Sequence, residues 1–283
     1  MDSLTLRACA KINLHLDITG TLPSGYHALC MLMQTVSLCD EITLTRKQPG
    51  ITLTCSDPAL PTDGRNIAHR AAALFFAETG LDGIAIHIEK RIPFQAGLGG
   101  GSADAAAVLR GLCTLFAVEI PPLRLRELAL QLGADVPYCL VGSTQLALNT
   151  GEVLASLPPL STRFCVVVKP AVGVSTVGAY KAWDRMNLRL HPDNNALIAA
   201  AAGADWDGIC AHAANVLEQA VEVPLRAQYK AILREHGAVL AQMTGSGSAI
   251  FGIFLDEKSA QKAAYALQQY DARVFVCTTT GEA

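Results

Sequence analysis

A run of glycines is the part of the sequence whose residue types most directly imply chemistry. Four of the five residues from Gly97 to Gly101 are glycines, and Ser102 and Ala103 follow them. Glycine lets the backbone pass close to a ligand, and a helix that begins at Ser102 directs its N–H groups and its positive dipole end at the same point. A phosphate chain suits this arrangement. A plain turn is the alternative, although three consecutive glycines would destabilise a turn through lost chain entropy.

The spacing of these glycines excludes two common phosphate motifs. No Lys-Ser/Thr pair follows them, as a Walker loop requires, and the pattern G-x-G-x-x-G fails when it is started at Gly97 or Gly99. We therefore predict a polyphosphate-binding loop of another type. Its residues are Pro93, Phe94, Gln95, Ala96, Gly97, Leu98, Gly99, Gly100, Gly101, Ser102 and Ala103.

Two polar residues at the end of this loop allow two interpretations each. The hydroxyl of Ser102 is available to a phosphate or Mg²⁺, or it caps the helix. Asp104 lies in the first helical turn, where its carboxylate either favours the positive helix end or contacts a bound cation. The protein ligands of a metal ion stay open at this point.

Two further short segments contain glycine beside polar side chains. In Ser24-Gly25-Tyr26-His27, the rings of Tyr26 and His27 suit a planar base, although a turn with two half-buried rings is the alternative. Met243 to Ala249 contains two glycines and two serines and resembles an ordinary hairpin turn.

The glycine loop is predicted to join a strand to a helix. Ile84, Ile86 and Ile88 alternate with polar or small residues, which is typical of a half-buried strand. Apolar residues recur on one face after Ser102 and predict the helix. A helix capped by Asn66 precedes the strand, and a helix from Pro121 to Gly133 and an Asp-Val-Pro turn at 135–137 follow.

The rest of the chain divides near Pro158. A hairpin is predicted from 144 to 157 around Asn149-Thr150-Gly151, and a fresh apolar strand begins at Phe164. We expect domains at 1–157 and 158–283. In the second, the predicted elements are a helix at 225–236, strands at 238–242 and 249–255, a helix at 257–269 and a strand at 273–278, an order compatible with a split βαβ sheet.

Composition narrows the class of protein. The chain of 283 residues is 51% hydrophobic, so it can bury a full core, and 22 basic against 25 acidic residues give a net charge of −3. Because no run of Lys or Arg is present, we expect no nucleic-acid partner. The nine cysteines form no C-x-x-C pair and are expected to be reduced thiols. With neither a signal peptide nor an apolar stretch long enough to span a bilayer, we expect a cytoplasmic protein without a membrane partner.

Five motifs occur in the order and approximate spacing of one enzyme family. They are Ala10-Lys11-Ile12-Asn13-Leu14, Gly25-Tyr26-His27, the Gly97-to-Ser102 loop with Ala103-Asp104-Ala105-Ala106, Gly133-Ala134-Asp135-Val136-Pro137 and Thr244-Gly245-Ser246-Gly247. Over nearly the whole chain, the sequence resembles the small-molecule kinases named for galactose, homoserine, mevalonate and phosphomevalonate. Phe94, Gln95 and Ala96 stand where that family usually has small residues, and Asn149 stands where its hairpin often has glycine.

The resemblance implies a two-domain α/β (α+β) small-molecule kinase fold. Its N-terminal ATP-binding domain would be similar to a domain of a ribosomal protein, its C-terminal α/β domain would be ferredoxin-like, and ATP and substrate would bind in the cleft between them. The implied reaction is ATP- and Mg²⁺-dependent phosphorylation of the 2-hydroxyl of a methylerythritol linked to cytidine diphosphate, a step of the non-mevalonate route to isoprenoid precursors.

The resemblance also implies roles for individual residues. Lys11 and Asp135 would be the catalytic pair, residues 93–103 would hold the ATP phosphates, and Asn13, Tyr26 and His27 would face the cytidine part of the substrate. Phosphoryl transfer needs an acceptor for the hydroxyl proton, which Asp135 provides, and a cation such as Lys11. Taken singly, Asp135 is equally explained as a helix cap and Lys11 as a solvated charge at a strand end.

Three other functions are compatible with parts of this pattern. A different acceptor, such as homoserine or mevalonate, fits the superfamily, whereas Gly25-Tyr26-His27 favours an acceptor that contains a base. An RNA-binding module is disfavoured by the net charge of −3. A nucleotide-gated regulator is disfavoured by the presence of both Lys11 and Asp135. The oligomeric state is left open by the sequence.

Overall fold

The computed structural model describes residues 2–282 and contains two β-sheets with helices packed against them. The first sheet has the strand order β3-β4-β2-β5-β6, and β1 pairs with β2. Only the β3–β4 pair is parallel among these strands. Its strands are β1 (Ser3–Thr21), β2 (His27–Arg46), β3 (Ile51–Cys55), β4 (Ile84–Glu89), β5 (Thr144–Asn149) and β6 (Val153–Ser156).

Four helices accompany the first sheet: α1 (Ile67–Thr79), α2 (Gly100–Phe116), α3 (Pro122–Leu132) and α4 (Val136–Val141). The predicted cap at Asn66 is confirmed, because its side chain accepts a hydrogen bond from the N–H of Ala68. Helix α2 lies directly on β1 and β2. The close approach depends on Gly111, where a Cβ atom would stand 2.5 Å from the buried side chain of Leu44 and 2.7 Å from that of Leu6.

The second sheet is antiparallel throughout and has the strand order β10-β7-β9-β8, the ferredoxin-like order that the resemblance implies. Its strands and the helices around them are β7 (Phe164–Pro170), α5 (Thr176–Asp184), α6 (Asn194–Ala202), α7 (Trp206–His212), α8 (Arg226–Glu235), β8 (Leu240–Met243), β9 (Ile250–Phe254), α9 (Glu257–Leu267) and β10 (Ala272–Thr278). Within residues 2–282 no helix has the length and apolarity that crossing a membrane requires.

Several predicted elements need correction. Helix α2 begins at Gly100, so Ser102 lies inside its first turn and does not cap it. The expected turn at 135–137 is instead the start of α4, because Pro137 fits the first turn of a helix. Cys9 and Cys39 face each other across β1 and β2 and form a disulfide, so the expectation that every thiol is reduced is wrong for this pair.

A β-bulge in β1 connects the two halves of the structure. The pairing with β2 shifts by one residue between Asn13 and His15, and a bulge turns the side chains that follow it to the other face. As a result Lys11, Asn13 and Leu16 line a cleft, whereas His15 bonds to Asn194, at the start of α6. Strand β1 therefore contributes side chains both to the cleft and to the contact with α6.

The contact between α2 and the sheet gives a first prediction. Replacing Gly111 with Val should lower the free energy of unfolding by about 1–3 kcal/mol, because the added atoms overlap Leu44 and Leu6 in a filled core. Thr114→Val, an exposed position on the same helix, is the control and should change stability by less than about 0.5 kcal/mol. Chemical denaturation measures both variants, and equal stability of the two would contradict the close packing.

Candidate active site

One large cleft collects most of the residues that the sequence singled out. Its volume is about 1120 Å³, whereas a site for one drug-sized ligand has roughly 300–1,000 Å³. It therefore has room for two ligands side by side. The lining residues from the predicted set are Lys11, Asn13, Tyr26, His27, Asp135 and all of Pro93 to Ser102.

The glycine loop adopts a backbone that only glycine tolerates well. Gly97 has φ +76°, and a Cβ atom there would stand 2.2 Å from the carbonyl oxygen of Thr244. Gly99 has φ +70° and precedes α2 without any side-chain cap. The first N–H groups of an uncapped helix have no partner within the helix, so those at the start of α2 are available to an anion.

Lys11 occupies the space under this loop. A Cβ atom on Gly99 would be 3.0 Å from its Cγ, and its own N–H donates to the carbonyl of Leu98 at 2.9 Å. Its side chain is only 5% exposed, and the ammonium donates to Oδ1 of Asn13 at 2.7 Å. The loop can cross so closely because Gly99 has no side chain.

The structure brings Lys11 and Asp135 together. Nζ of Lys11 lies 3.5 Å from Oδ2 of Asp135, whose side chain is about one-third exposed to the cleft. Asp135 occupies the position before α4 but makes no capping hydrogen bond with its side chain. The interpretation of Asp135 as a plain helix cap therefore fails, and the interpretation of Lys11 as a solvated charge fails because it is buried. The carboxylate of Asp135 lines the cleft beside Lys11 and can accept a proton there.

A buried charge cluster behind the loop was not expected from the sequence. Lys90 donates hydrogen bonds to Oδ2 of Asp40 and, at 2.8 Å, to Oδ2 of Asp104. The other oxygen of Asp40 accepts from the N–H groups of Arg91 and Ile92. Lys90 therefore ties α2 to β2 and to the segment after β4, and Asp104 is an ion-pair partner rather than a plain charge near the helix end.

The protonation of this cluster is set by burial and by the pairing. Burial raises the pKa of Asp104 to about 8, against the lowering effect of Lys90. Burial opposes the charged form of Lys90, but the carboxylates of Asp104 and Asp40 outweigh it and raise its pKa. The remaining oxygen of Asp104, Oδ1, is buried without a hydrogen-bond partner.

The opposite end of the cleft is aromatic. The rings of His27 and Tyr180 are stacked with centroids 4.9 Å apart, and Nε2 of His27 lies 2.7 Å from Oδ1 of Asp184. Tyr26 is 68% exposed at the mouth of the cleft. Asn13 lies between the two ends, with its N–H donating to the hydroxyl of Thr244 at 3.0 Å. This end can receive a flat ring and hydrogen-bond its edge.

Sequence reasoning missed two walls of the cleft. Tyr180, Lys181 and Asp184 lie on α5, a helix that was not predicted, although Ser175 caps it with a bond to the N–H of Gly178. The other wall begins at the cap of α1, where Asn66 was assigned only a structural role. The residues of that wall are Leu60, Pro61, Arg65, Asn66 and Ile67.

Residues that differ from those usual in the family have an unusual backbone conformation or an exposed side chain. Gln95 has φ +52°, an unusual value for a residue with a side chain, and that side chain lies against Gly173 beyond β7. Phe94 is 60% exposed over the cleft. Asn149 has φ +58°, so this asparagine adopts the left-handed conformation that glycine usually takes at such a position.

Comparison with known proteins places the chain among kinases. Residues 66–143 match the family model described as GHMP kinases N terminal domain, and residues 194–272 match GHMP kinases C terminal. The 4-diphosphocytidyl-2-C-methyl-D-erythritol kinase of Moorella thermoacetica is 41% identical and covers 99% of this chain and 100% of its own length. The same kinase of Clostridium botulinum is 40% identical over 98% and 100%.

Solved structures support the same placement among kinases. A crystal structure of 4-(cytidine 5'-diphospho)-2C-methyl-D-erythritol kinase superposes with a TM-score of 0.83 at 34% identity, over 98% of this chain and 99% of its own. A homoserine kinase from Cytophaga hutchinsonii superposes with a TM-score of 0.78 at 22% identity, over 99% of this chain and 95% of its own, and so shares the fold.

The buried cluster gives a second prediction. Lys90→Met should lower the free energy of unfolding by about 3–5 kcal/mol, because it leaves the buried carboxylate of Asp40 without its counter-ion and removes the hydrogen bond to Asp104. Lys181→Met is the matched control, since Lys181 lies exposed in the same cleft without an ion-pair partner among residues 2–282. Urea denaturation at neutral pH compares them. A loss no larger than that of the control would contradict the role of Lys90.

Proposed function

This chain belongs to the 4-diphosphocytidyl-2-C-methyl-D-erythritol kinases of the GHMP kinase family, and on that premise we propose how its residues carry out the reaction. The enzyme transfers the γ-phosphoryl group of ATP to the 2-hydroxyl of 4-diphosphocytidyl-2-C-methyl-D-erythritol and releases ADP. The reaction is a step of the non-mevalonate route to isoprenoid precursors.

The observation that carries the proposed mechanism is the position of Lys11 and Asp135 beside the uncapped start of α2. In-line transfer needs the attacking hydroxyl, the γ-phosphoryl group and a proton acceptor at one place. We propose that Asp135 accepts the proton of the 2-hydroxyl. Lys11, held by Asn13, pairs with Asp135 and offsets the charge that develops on the transferred group.

The ATP phosphates are proposed to bind the loop from Pro93 to Ala103. Support comes from the free N–H groups at the start of α2 and from the close crossing at Gly97 and Gly99. The purine is then placed against the wall of residues that includes Asn66 and Ile67, because Ile67 lies beside Gly101 just as Lys90 lies beside Gly100.

Mg²⁺ is proposed to enter with the nucleotide. Among residues 2–282 no group of three His, Cys, Asp or Glu side chains could hold a metal, and Mg²⁺ is often bound by substrate phosphates and one or two protein oxygens. The start of α2 fits this pattern, since it offers the hydroxyl of Ser102 and the unpartnered Oδ1 of Asp104. When bound, the ion neutralises charge on the β- and γ-phosphates.

The cytidine part of the acceptor is proposed to occupy the aromatic end of the cleft. Tyr26 is exposed and available for stacking, and Tyr180 and His27 already stack on each other beside it. Asn13 lies between the aromatic end and Lys11, where it can orient the acceptor toward the phosphoryl group. An acceptor with a base uses both ends of the cleft, whereas a small acceptor such as homoserine leaves the aromatic end empty.

We propose three further properties of the whole molecule: its division into domains, its location and the absence of a nucleic-acid partner. The division into domains at 1–157 and 158–283 is supported by the two sheets, since β6 ends at Ser156 and β7 begins at Phe164. A cytoplasmic location is supported by the use of ATP as donor. The net charge of −3 supports the absence of a nucleic-acid partner.

The role of Asp135 gives a third prediction. Asp135→Asn should lower kcat by about 10²–10⁴, the usual contribution of general base catalysis, because the amide cannot accept the proton. The affinity for ATP, measured by calorimetry, should stay within about threefold, a difference of less than 1 kcal/mol. Asp271→Asn, an exposed site in the turn before β10, is the control. Near-normal turnover of the Asn variant would refute the assignment.

The aromatic end gives a fourth prediction. Tyr26→Ala should raise the KM for the cytidyl substrate by roughly 5- to 100-fold through lost base stacking, and leave the KM for ATP unchanged. Tyr265→Ala is the control, because Tyr265 is also largely exposed but lies on α9 outside the cleft. An effect of Tyr26→Ala on ATP alone would place the two ligands in the reverse order.

A further inference from the structure

A buried polar network lies beyond the bulge of β1, outside the residues used for phosphoryl transfer. Asp17 is almost fully buried, and its two oxygens accept hydrogen bonds at 2.8 Å, one from Nδ1 of His191 and one from Nδ2 of Asn194. His15 is also buried and lies 2.8 Å from Oδ1 of Asn194. A buried carboxylate is costly unless such donors satisfy it, so the network specifies where its partners lie.

The direction of every hydrogen bond in this network is fixed. The N–H of Ala214 donates to Nδ1 of His15 at 3.3 Å, so Nε2 of His15 carries the proton and donates to Oδ1 of Asn194. The amide of Asn194 is thereby oriented with Nδ2 toward Asp17. Burial lowers the pKa of His15, which keeps the ring neutral and able to accept from Ala214.

The network reaches helix α5 through His191. The ring of His191 meets the buried ring of Trp183 edge to face, with centroids 5.7 Å apart at 84°. Trp183 lies on α5 between Tyr180 and Asp184, which are the two α5 residues that contact His27. A continuous chain of contacts therefore runs from Asp17 through His191 and Trp183 to the aromatic end of the cleft.

This route is a polar attachment of α5 to β1 across the segment 185–193. Arg189 lies over the ring of Trp183, and it also donates to the carbonyl of Asp184 at the end of the helix. Two side chains of one segment therefore contact Trp183, and of these two His191 continues to Asp17 on β1. This fixed point adds to the direct contacts of Tyr180 and Asp184 with His27 in setting the position of α5 relative to the hairpin.

We propose that Asp17 and His191 are positioning residues that hold α5 against the β1–β2 hairpin and so set the affinity for the cytidine part of the substrate. The inference rests on the proposed placement of cytidine at the aromatic end. Neither residue is among those that line the cleft, so both act through Tyr180 and Asp184.

Two variants of His191 separate the two contacts of its ring. His191→Phe keeps an aromatic ring against Trp183 but removes the donor to Asp17. His191→Asn loses the ring, yet its amide nitrogen stands where Nδ1 stood and still donates to Asp17. The side chain of His191 is 46% exposed, so both variants should fold. His212→Phe, an exposed histidine on α7, is the matched control.

The full-length protein is titrated with cytidine diphosphate and, separately, with ADP, and the KM values for both substrates and kcat are measured. His191→Phe should weaken cytidine diphosphate binding about tenfold, the loss expected for one hydrogen bond to a buried charge. Its KM for the cytidyl substrate should rise in parallel, while ADP binding and kcat stay within about twofold, a free-energy change of less than 0.5 kcal/mol. His191→Asn keeps the donor to Asp17 but loses the ring against Trp183, so it should also weaken cytidine diphosphate binding, by roughly 2- to 10-fold. His212→Phe should match the unmodified protein.

Three other outcomes would refute the positioning role, each for a different reason. If His191→Phe binds cytidine diphosphate as tightly as the unmodified protein, the positioning role is wrong while the kinase function stands. If it weakens cytidine diphosphate and ADP equally, the effect is a general loss of structure and the proposal is also wrong. If the unmodified protein itself binds no cytidine diphosphate, the proposed cytidine site is wrong, and the positioning role that rests on it is wrong as well.

Discussion

The buried ammonium of Lys11 is the constraint on which the arrangement of the cleft depends. A lone cation in this position is unfavourable, and Asn13 and Asp135 supply the oxygens that compensate it. The glycine loop can lie across its side chain only because Gly99 has no Cβ, and the loop is fixed there by the bond from Lys11 to the carbonyl of Leu98. Strand β1, the start of α2 and the start of α4 must therefore meet at one point. That meeting places a phosphate site, a cation and a proton acceptor within reach of each other.

Local sequence signals predicted the parts of the fold that local chemistry determines. The helix cap at Asn66, the hairpin at Asn149 and the elements after residue 225 lie within two residues of their predicted positions. Strands β1 and β2 were not predicted, since both faces are buried along much of their length and the alternation is lost. The start of α2 was misplaced because Gly100 and Gly101 are poor helix formers, and here the tertiary contacts of Lys90 with Asp104 hold them in the helix.

The candidate site was predictable where residues act through motifs and not where they act through tertiary contacts. Lys11, Asn13 and Asp135 lie far apart in sequence, and only the family resemblance grouped them. The pairing of Lys90 with Asp40 and Asp104 has no local signature, because Asp40 comes from β2 and the others from either side of the loop. The bulge after Asn13 is equally invisible in the alternation of Lys11, Asn13, His15 and Asp17, which by itself places all four side chains on one face. Because of the bulge, Lys11 and Asn13 face the cleft, whereas His15 and Asp17 belong to the network that we propose holds α5.

The central claim is that the cleft joins a nucleotide triphosphate at the glycine loop to a cytidine-containing acceptor at the aromatic end. Phosphorus NMR of the protein with ATP, Mg²⁺ and equal amounts of 4-diphosphocytidyl-2-C-methyl-D-erythritol, homoserine and mevalonate tests it most directly. The account predicts a new phosphomonoester resonance on the cytidyl compound, with one ADP formed for each product and the two small acceptors unchanged. Release of inorganic phosphate alone, or faster transfer to homoserine or mevalonate, would contradict it.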